Sequence, residues 1–175
     1  LNIDIIITDH HKIPNNKPKV FALVHPEEAP LNSPYKYLAG VGIAYMIAKS
    51  ICRKTNILLK NSSAIELFSI GTVADMTPLV GANRIWLKEG LQTINKTNNK
   101  GLKSILKRIG IGQNLISTDE IGFKIAPLIN AIGRIGAPNL VIDLLTSKSE
   151  VHCKKLTNIC IKTNNDRRII TEKIL

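Results

Sequence analysis

The run Ile5-Ile6-Ile7-Thr8-Asp9-His10-His11 decides how this chain is read. Consecutive β-branched residues are the pattern of a strand buried on both faces, the kind found in parallel sheets. The polar triplet then sits at the C-terminal end of that strand. In open α/β folds this edge of the sheet is where ligands bind. Two imidazoles beside a carboxylate suit a divalent transition metal, and the carboxylate can accept a ring N–H and orient it. Half of the chain's 4 histidines lie in this one dipeptide. Adjacent histidines in an ordinary loop would be unremarkable. After a strand and next to Asp9 they form a candidate metal site.

Outward from this stretch the chain alternates strand-like and helical patterns. Residues 3–8 read as a buried strand, and Pro14 and Pro18 punctuate the loop after it. Residues 19–25 read as a second strand stopped by Pro26. Pro26, Pro30 and Pro34 make the following segment irregular. A helical pattern runs from about Ala39 to Cys52, with Gly40 and Gly42 in its first turn. A lone Gly-x-Gly is weak as a phosphate-binding signal, so close packing of helix on sheet is the preferred reading. Further helices are expected over 61–71, capped by Ser62 or Ser63, then over 83–93 and 101–108. A helical stretch introduced by Thr118 carries Phe123 to Ile129, and a short helix covers 138–145. One long basic helix is expected from about Ser149 to the end.

Two further motifs can carry chemistry. In Gly71-Thr-Val-Ala-Asp75-Met-Thr-Pro-Leu79 a carboxylate stands in a nearly neutral, apolar segment. Burial there is costly unless the group is paired or binds a metal, although capping of the turn before Pro78 is the plainer role. In Pro127-Leu-Ile-Asn130-Ala-Ile-Gly133-Arg134-Ile135 the spacing of Asn130 and Arg134 places both on one helical face. Arginine offers a planar fork that matches phosphate, while a surface Arg lying over the core is the plainer alternative.

Composition sets the bounds. The chain has 175 residues, enough for a domain with a real core, and only 4% are aromatic, so Ile, Leu, Val and Ala must fill it. The net charge of +11 favours a polyanionic partner such as nucleic acid. The abundance of Asn and Lys is equally the mark of an AT-rich genome. No apolar run approaches the length of a membrane span, and no signal-peptide pattern opens the chain. Cys52, Cys153 and Cys160 lack metal-ligand spacing and read as buried, reduced thiols of a cytoplasmic protein. The chain opens at Leu1 within a strand-like pattern and ends within a helical one. A piece of a longer protein is therefore expected.

Five blocks together resemble one family: DIIITDHH (4–11), YLAGVGIAYMIAKSI (37–51), ELFSIGTVADMTPLVGANRIWLKEGL (66–91), IGFKIAPLINAIGRI (121–135) and NNDRRIITEKI (164–174). Their order and spacing resemble the RecJ-type single-stranded-DNA exonucleases of the DHH phosphoesterase superfamily. The resemblance implies an α/β fold: the C-terminal part of a parallel-sheet DHH domain, then helices and a long connector helix. Residues 1–148 would belong to that domain. Residues 149–175 would begin the connector to a C-terminal DNA-gripping domain. It also implies a two-metal centre, with Mn²⁺ expected and Mg²⁺ as the other candidate. His10 and Asp75 would be metal ligands, Asp9 would support His10, and His11 would face the scissile phosphate. Arg134, with Asn130, would contact substrate phosphate.

The upstream carboxylate motifs that complete such a centre have no counterpart in the sequence, so the chain itself is expected to be inactive. The parent activity implied is 5′-to-3′ hydrolysis of single-stranded DNA in recombination and repair. The alternatives are a DHH-type small-substrate phosphatase or oligonucleotide-degrading enzyme, and a non-catalytic nucleic-acid-binding module with a degenerate DHH fold.

Overall fold

The structure is a computed structural model that describes residues 3–59, 63–111 and 116–174. The fold is mixed α/β, mostly helical, with a small two-stranded parallel sheet. It divides into two compact units, with the boundary between Gly90 and Leu91.

In the first unit β1 (Ile6–Thr8) pairs in parallel with β2 (Ala22–Val24), in the register Ile6–Ala22, Ile7–Leu23 and Thr8–Val24. A single turn of 3₁₀ helix, Pro26–Glu28, follows β2. Helices α1 (Gly40–Thr55), α2 (Ala64–Ala74) and α3 (Gly81–Thr93) complete the unit, the last turn of α3 crossing the boundary. Helix α1 ends where Asn56 adopts the left-handed conformation (φ 55°), which Asn tolerates better than most residues. Arg53 and Lys54 in its last turn complement the negative end of the helix dipole.

The core of this unit is built on Leu38, Ile43, Tyr45, Phe68, Ala82 and Trp86. Tyr45 and Phe68 meet the Trp86 ring edge-on, at centroid distances of 5.0 and 5.4 Å. Tyr35 stands beside the same ring at 5.8 Å, so Tyr35, Tyr45, Phe68 and Trp86 form one aromatic cluster. Gly42 permits this packing, because a Cβ there would lie 2.9 Å from Leu38 Cδ2 and 3.3 Å from the Phe68 ring. The Gly-Val-Gly segment is a close-packing device, but Gly42 packs α1 against Leu38 and α2 and not against the sheet, and only Gly40 faces a residue that follows a strand, His10.

The expectation of a buried strand over residues 3–8 needs correction. The paired segment is only three residues long, and Ile3, Ile5 and Ile6 are all more than half exposed. A strand is buried on both faces only when layers cover both faces and strands flank both edges. Among the described residues β1 pairs with β2 alone. The apolar pattern records a capacity for burial, and the available partners decide how much of it is used. Strand β2 is likewise shorter than the predicted 19–25, and Phe21 beside it is 70% exposed.

The second unit is helical. A 3₁₀ turn, Ile94–Lys96, leads to α4 (Lys100–Arg108), whose N-cap Asn99 accepts a hydrogen bond from the Leu102 backbone N–H. Ser117 and Glu120 form a reciprocal capping box at α5 (Thr118–Glu120). The cap is therefore Ser117, one residue before the expected start. The run continues through a π-turn (Ile121–Ile125) into α6 (Ala126–Ile135). Helices α7 (Asn139–Thr146) and α8 (Glu150–Ile174) follow.

Helix α8 packs on α4, α6 and α7. Leu102, Ile105, Ile121, Ile125 and Ile132 are fully buried, with Leu144 and Cys153 beside them in the core. A Cβ at Gly101 would meet the Leu144 carbonyl oxygen at 2.0 Å, so the start of α4 can cross the end of α7 only as glycine. Cys153 and Cys160 are buried and free, and Cys52 is free and partly exposed. Among the described residues no helix is long and apolar enough to cross a membrane.

Candidate metal centre

Strands β1 and β2 run in the same direction, so their C-terminal ends lie side by side. The residues that follow each strand form one corner of the first unit. Asp9 follows Thr8, and its backbone N–H reaches the Val24 carbonyl at 3.4 Å. Its carboxylate then organises the next two residues. Asp9 Oδ1 accepts from the His10 backbone N–H at 2.7 Å and from the His11 backbone N–H at 3.2 Å. The same oxygen lies 2.8 Å from His11 Nδ1. A carboxylate can only accept, so His11 Nδ1 carries the proton and Nε2 is the outward-facing atom of a largely exposed ring. These bonds hold the Asp9 carboxyl down to about 2, the His11 side chain first and the two backbone N–H groups after it. Asp9 is therefore a carboxylate at any ordinary pH.

His10 points elsewhere. Its Nδ1 is 3.9 Å from Asp9 Oδ1, too long for a hydrogen bond, whereas its Nε2 lies 3.2 Å from Asp75 Oδ2. The side-chain support from Asp9 thus goes to the His11 ring, and His10 is held by its backbone N–H. Gly40 makes room for His10, since a Cβ there would come within 3.3 Å of His10 Nδ1.

Asp75 caps the C-terminus of α2. It is exposed, its side chain 43% accessible, so the burial cost argued from the apolar segment does not apply. Its placement is unusual for another reason. A carboxylate at the negative end of a helix dipole is unfavourable unless a cation faces it. The next residue, Met76, is left-handed (φ 51°) and 89% exposed. A bulky non-glycine residue in that conformation is strained, and such strain gathers at functional sites.

The donor set fits a divalent ion. Two ligands that are neighbours in an octahedral shell with bonds of roughly 2.1 Å stand about 3 Å apart. The 3.2 Å separation of His10 Nε2 and Asp75 Oδ2 meets that requirement. Asp9, His10 and His11 can also each offer one ligand atom, all within 4.8 Å of one another. One nitrogen and several carboxylate oxygens suit ions of the Mn²⁺ and Mg²⁺ type better than thiolate-seeking metals.

One member of this corner was not singled out from the sequence. His25, 8% exposed, is by sequence pattern only the last residue of a strand. Its Nδ1 accepts from the Glu27 N–H at 3.1 Å, so its Nε2 must carry the proton, and it donates to the His11 carbonyl at 2.7 Å. His25 thereby ties the turn after β2 to the Asp-His-His turn after β1. The signal for it was the His-Pro step immediately following a strand parallel to β1. Asn130 and Arg134 lie in the second unit, both on the exposed side of α6. Among the described residues, then, the first unit gathers Asp9, His10, His11, Asp75 and His25, while Asn130 and Arg134 share one helix.

Comparison with known proteins shows what the chain is similar to. The chain is 33% identical over 174 residues to the single-stranded-DNA-specific exonuclease RecJ of Bacillus subtilis, covering 99% of this chain and 22% of that protein. It is homologous to one segment of RecJ. The Escherichia coli RecJ is 28% identical, with 98% of this chain and 32% of that protein covered. Among solved structures, RecJ from Thermus thermophilus in complex with Mn²⁺ superposes with a TM-score of 0.87 at 28% identity, covering 98% of this chain and 26% of the other. A manganese-bound exonuclease RecJ gives a TM-score of 0.87 at 27% identity, over 98% and 43% of the two chains. The chain spans about a fifth to a third of the length of the curated RecJ proteins it matches. No protein-family model matches it.

Proposed function

We propose that this chain contributes the Asp-His-His side of the centre of a divalent-metal-dependent, single-stranded-DNA exonuclease. In the parent protein it would act in the 5′-to-3′ direction, in recombination and repair, in the cytoplasm. The observation that supports the reading most directly is the approach of His10 Nε2 to Asp75 Oδ2 at 3.2 Å, which joins two motifs distant in sequence. The Mn²⁺ and Mg²⁺ named for the matching RecJ structures make those ions the candidates here. When bound, such an ion supplies an activated water and stabilises the oxygens of an in-line phosphodiester displacement.

The chain's own residues have the following roles in this reading. His10 and Asp75 hold the ion, and Asp75 is aimed by its place at the end of α2. Asp9 accepts a hydrogen bond from His11 Nδ1–H, so that His11 presents Nε2 outward. Nε2 is the atom that would meet a phosphate oxygen, donating when the ring is protonated. Arg134 offers its fork to a substrate phosphate, with the Asn130 amide one helical turn before it. One imidazole and one carboxylate are too few to hold a pair of ions. The chain by itself is therefore proposed to bind metal without turning over DNA.

Titration with Mn²⁺, followed by the electron paramagnetic resonance signal of the free ion, tests the ligand assignment. Binding should weaken at least on the order of 10–100-fold in His10→Ala and in Asp75→Ala, the range seen even for groups that only support a ligand. Unchanged affinity in either variant would sink the assignment. Release of nucleotides from a labelled single-stranded oligonucleotide by the chain alone, abolished by Asp75→Ala, would overturn its inactivity while upholding the site.

A further inference from the structure

We infer that the groove between α4 and α8 in the second unit is a binding site for the phosphodiester backbone of a nucleic-acid strand. The open groove has a volume of about 530 Å³ and is lined by Lys100, Lys103, Lys107, Arg108 and Lys154 against a single carboxylate, Glu150. Glu150 is engaged by Lys100 at 3.7 Å. Among the described residues, Lys103, Lys107, Arg108 and Lys154 make no ion pair within the protein. The arrangement works against the isolated fold. Lys103 and Lys107 are one helical turn apart on α4, and like charges at that spacing repel. Lys100 in the first turn of the same helix faces the positive end of its dipole. A polyanion in the groove relieves both.

The rest of the lining fits the same ligand. Arg108 is pre-positioned, its Nε donating to Asn158 Oδ1 at 3.3 Å. Thr157, which is buried, donates to Ser104 Oγ at 2.8 Å, so the Ser104 hydroxyl keeps its own hydrogen to donate. Hydrogen-bonded hydroxyls beside lysines suit phosphate oxygens. The span also agrees with a strand. At 1.5 Å per residue, Lys100 to Lys107 covers roughly 10 Å, enough for the charges of this face to reach more than one phosphate of a strand. No residue of this lining belongs to the Asp9, His10, His11 and Asp75 cluster. The inference rests on the proposed role in DNA processing for its choice of nucleic acid over another polyanion.

The test is equilibrium binding of a fluorescent oligothymidylate to the 175-residue chain across a salt series, without divalent metal. It compares Lys103→Gln/Lys107→Gln with a control, Arg53→Gln/Lys54→Gln, that removes the same charge from α1. Each lost contact to a single strand flattens the slope of log affinity against log salt by roughly 0.7. The groove variant should therefore flatten it by about 1.4, and the control should leave it near the parent value. Equal slopes in the two variants would overturn the site, reducing it to a diffuse positive field. So would saturation by inorganic phosphate with no dependence on strand length, or equal affinity for polyglutamate through the same lysines. Circular dichroism of the variants should match the parent, because Lys103, Lys107, Arg53 and Lys54 are exposed. Failure of the nuclease proposal registers separately, as metal binding that ignores His10 and Asp75, and leaves this salt slope untouched.

Discussion

The two units of this chain divide structural and chemical roles. The second is a packed set of helices whose centre, from Leu102 to Cys153, is closed to solvent and whose cationic side chains line its surface. The first carries a minimal sheet with an exposed first strand and a half-buried second, and its polar corner of Asp9, His10, His11 and Asp75 is open to solvent. The difference teaches where each kind of substitution will register. In the helical unit a change of one buried group is a change in stability. At the polar corner the groups are accessible and held by hydrogen bonds, so their removal registers in binding first.

The sharpest way to break this comparison is to cut into the helical core. Leu102→Ala and Ile105→Ala, both fully buried, should each cost about 2–5 kcal/mol in urea unfolding. Asp75→Ala, exposed, should stay within about 0.5 kcal/mol. A large loss of stability in Asp75→Ala would show that the corner is structural after all.

A smaller effect is expected where the two roles meet. His25→Ala removes the cap on the Pro26–Glu28 turn and leaves the His11 carbonyl without its donor. The expected cost is about 1–2 kcal/mol, measured by thermal or urea unfolding. His25→Asn, which keeps a cap acceptor, should recover part of that stability. Equal losses in the two variants would show that the cap contributes nothing.

The smallest effect is in pH dependence. The Asp9 carboxyl is held at about 2, below its ordinary 3.8. A group lowered in the folded state stabilises above its unfolded pKa and loses that contribution as pH falls through the folded one. The Asp9 contacts should therefore be complete above pH 3.8 and fade toward pH 2. Carboxyl ¹³C shifts of Asp9 should titrate accordingly, and His11→Ala should move the midpoint up toward 3.8, since the hydrogen bond from the His11 ring does most to hold the carboxylate down. A midpoint unmoved by that substitution would mean the backbone N–H groups alone hold the carboxylate.

Much of this was legible in the residues. The helices at 40–55, 100–108 and 150–174 follow their apolar spacing, because helix periodicity and caps are set by neighbours a few residues away. Asp9, His10 and His11 were legible because they are contiguous: any strand that placed one at the sheet edge placed all three. The exposure of β1 was not legible, since Ile-rich sequence states what could be buried and not what covers it. The partner of Asp9 was also hidden. Ring orientation, not chain proximity, sends its carboxylate to His11 and turns His10 toward Asp75.

By itself, then, the sequence determined the helices, the Asp-His-His cluster and the family resemblance, which rest on local spacing and on the order of motifs. Tertiary structure decided which of those groups meet. The parallel register of β1 and β2 brings His25 to the His11 carbonyl, and the end of α2 brings Asp75 to His10. The packing of α8 on α4 likewise assembles lysines from two distant segments around one groove. Each of these contacts joins residues far apart along the chain. Strand register and helix packing select them, and no local pattern encodes either.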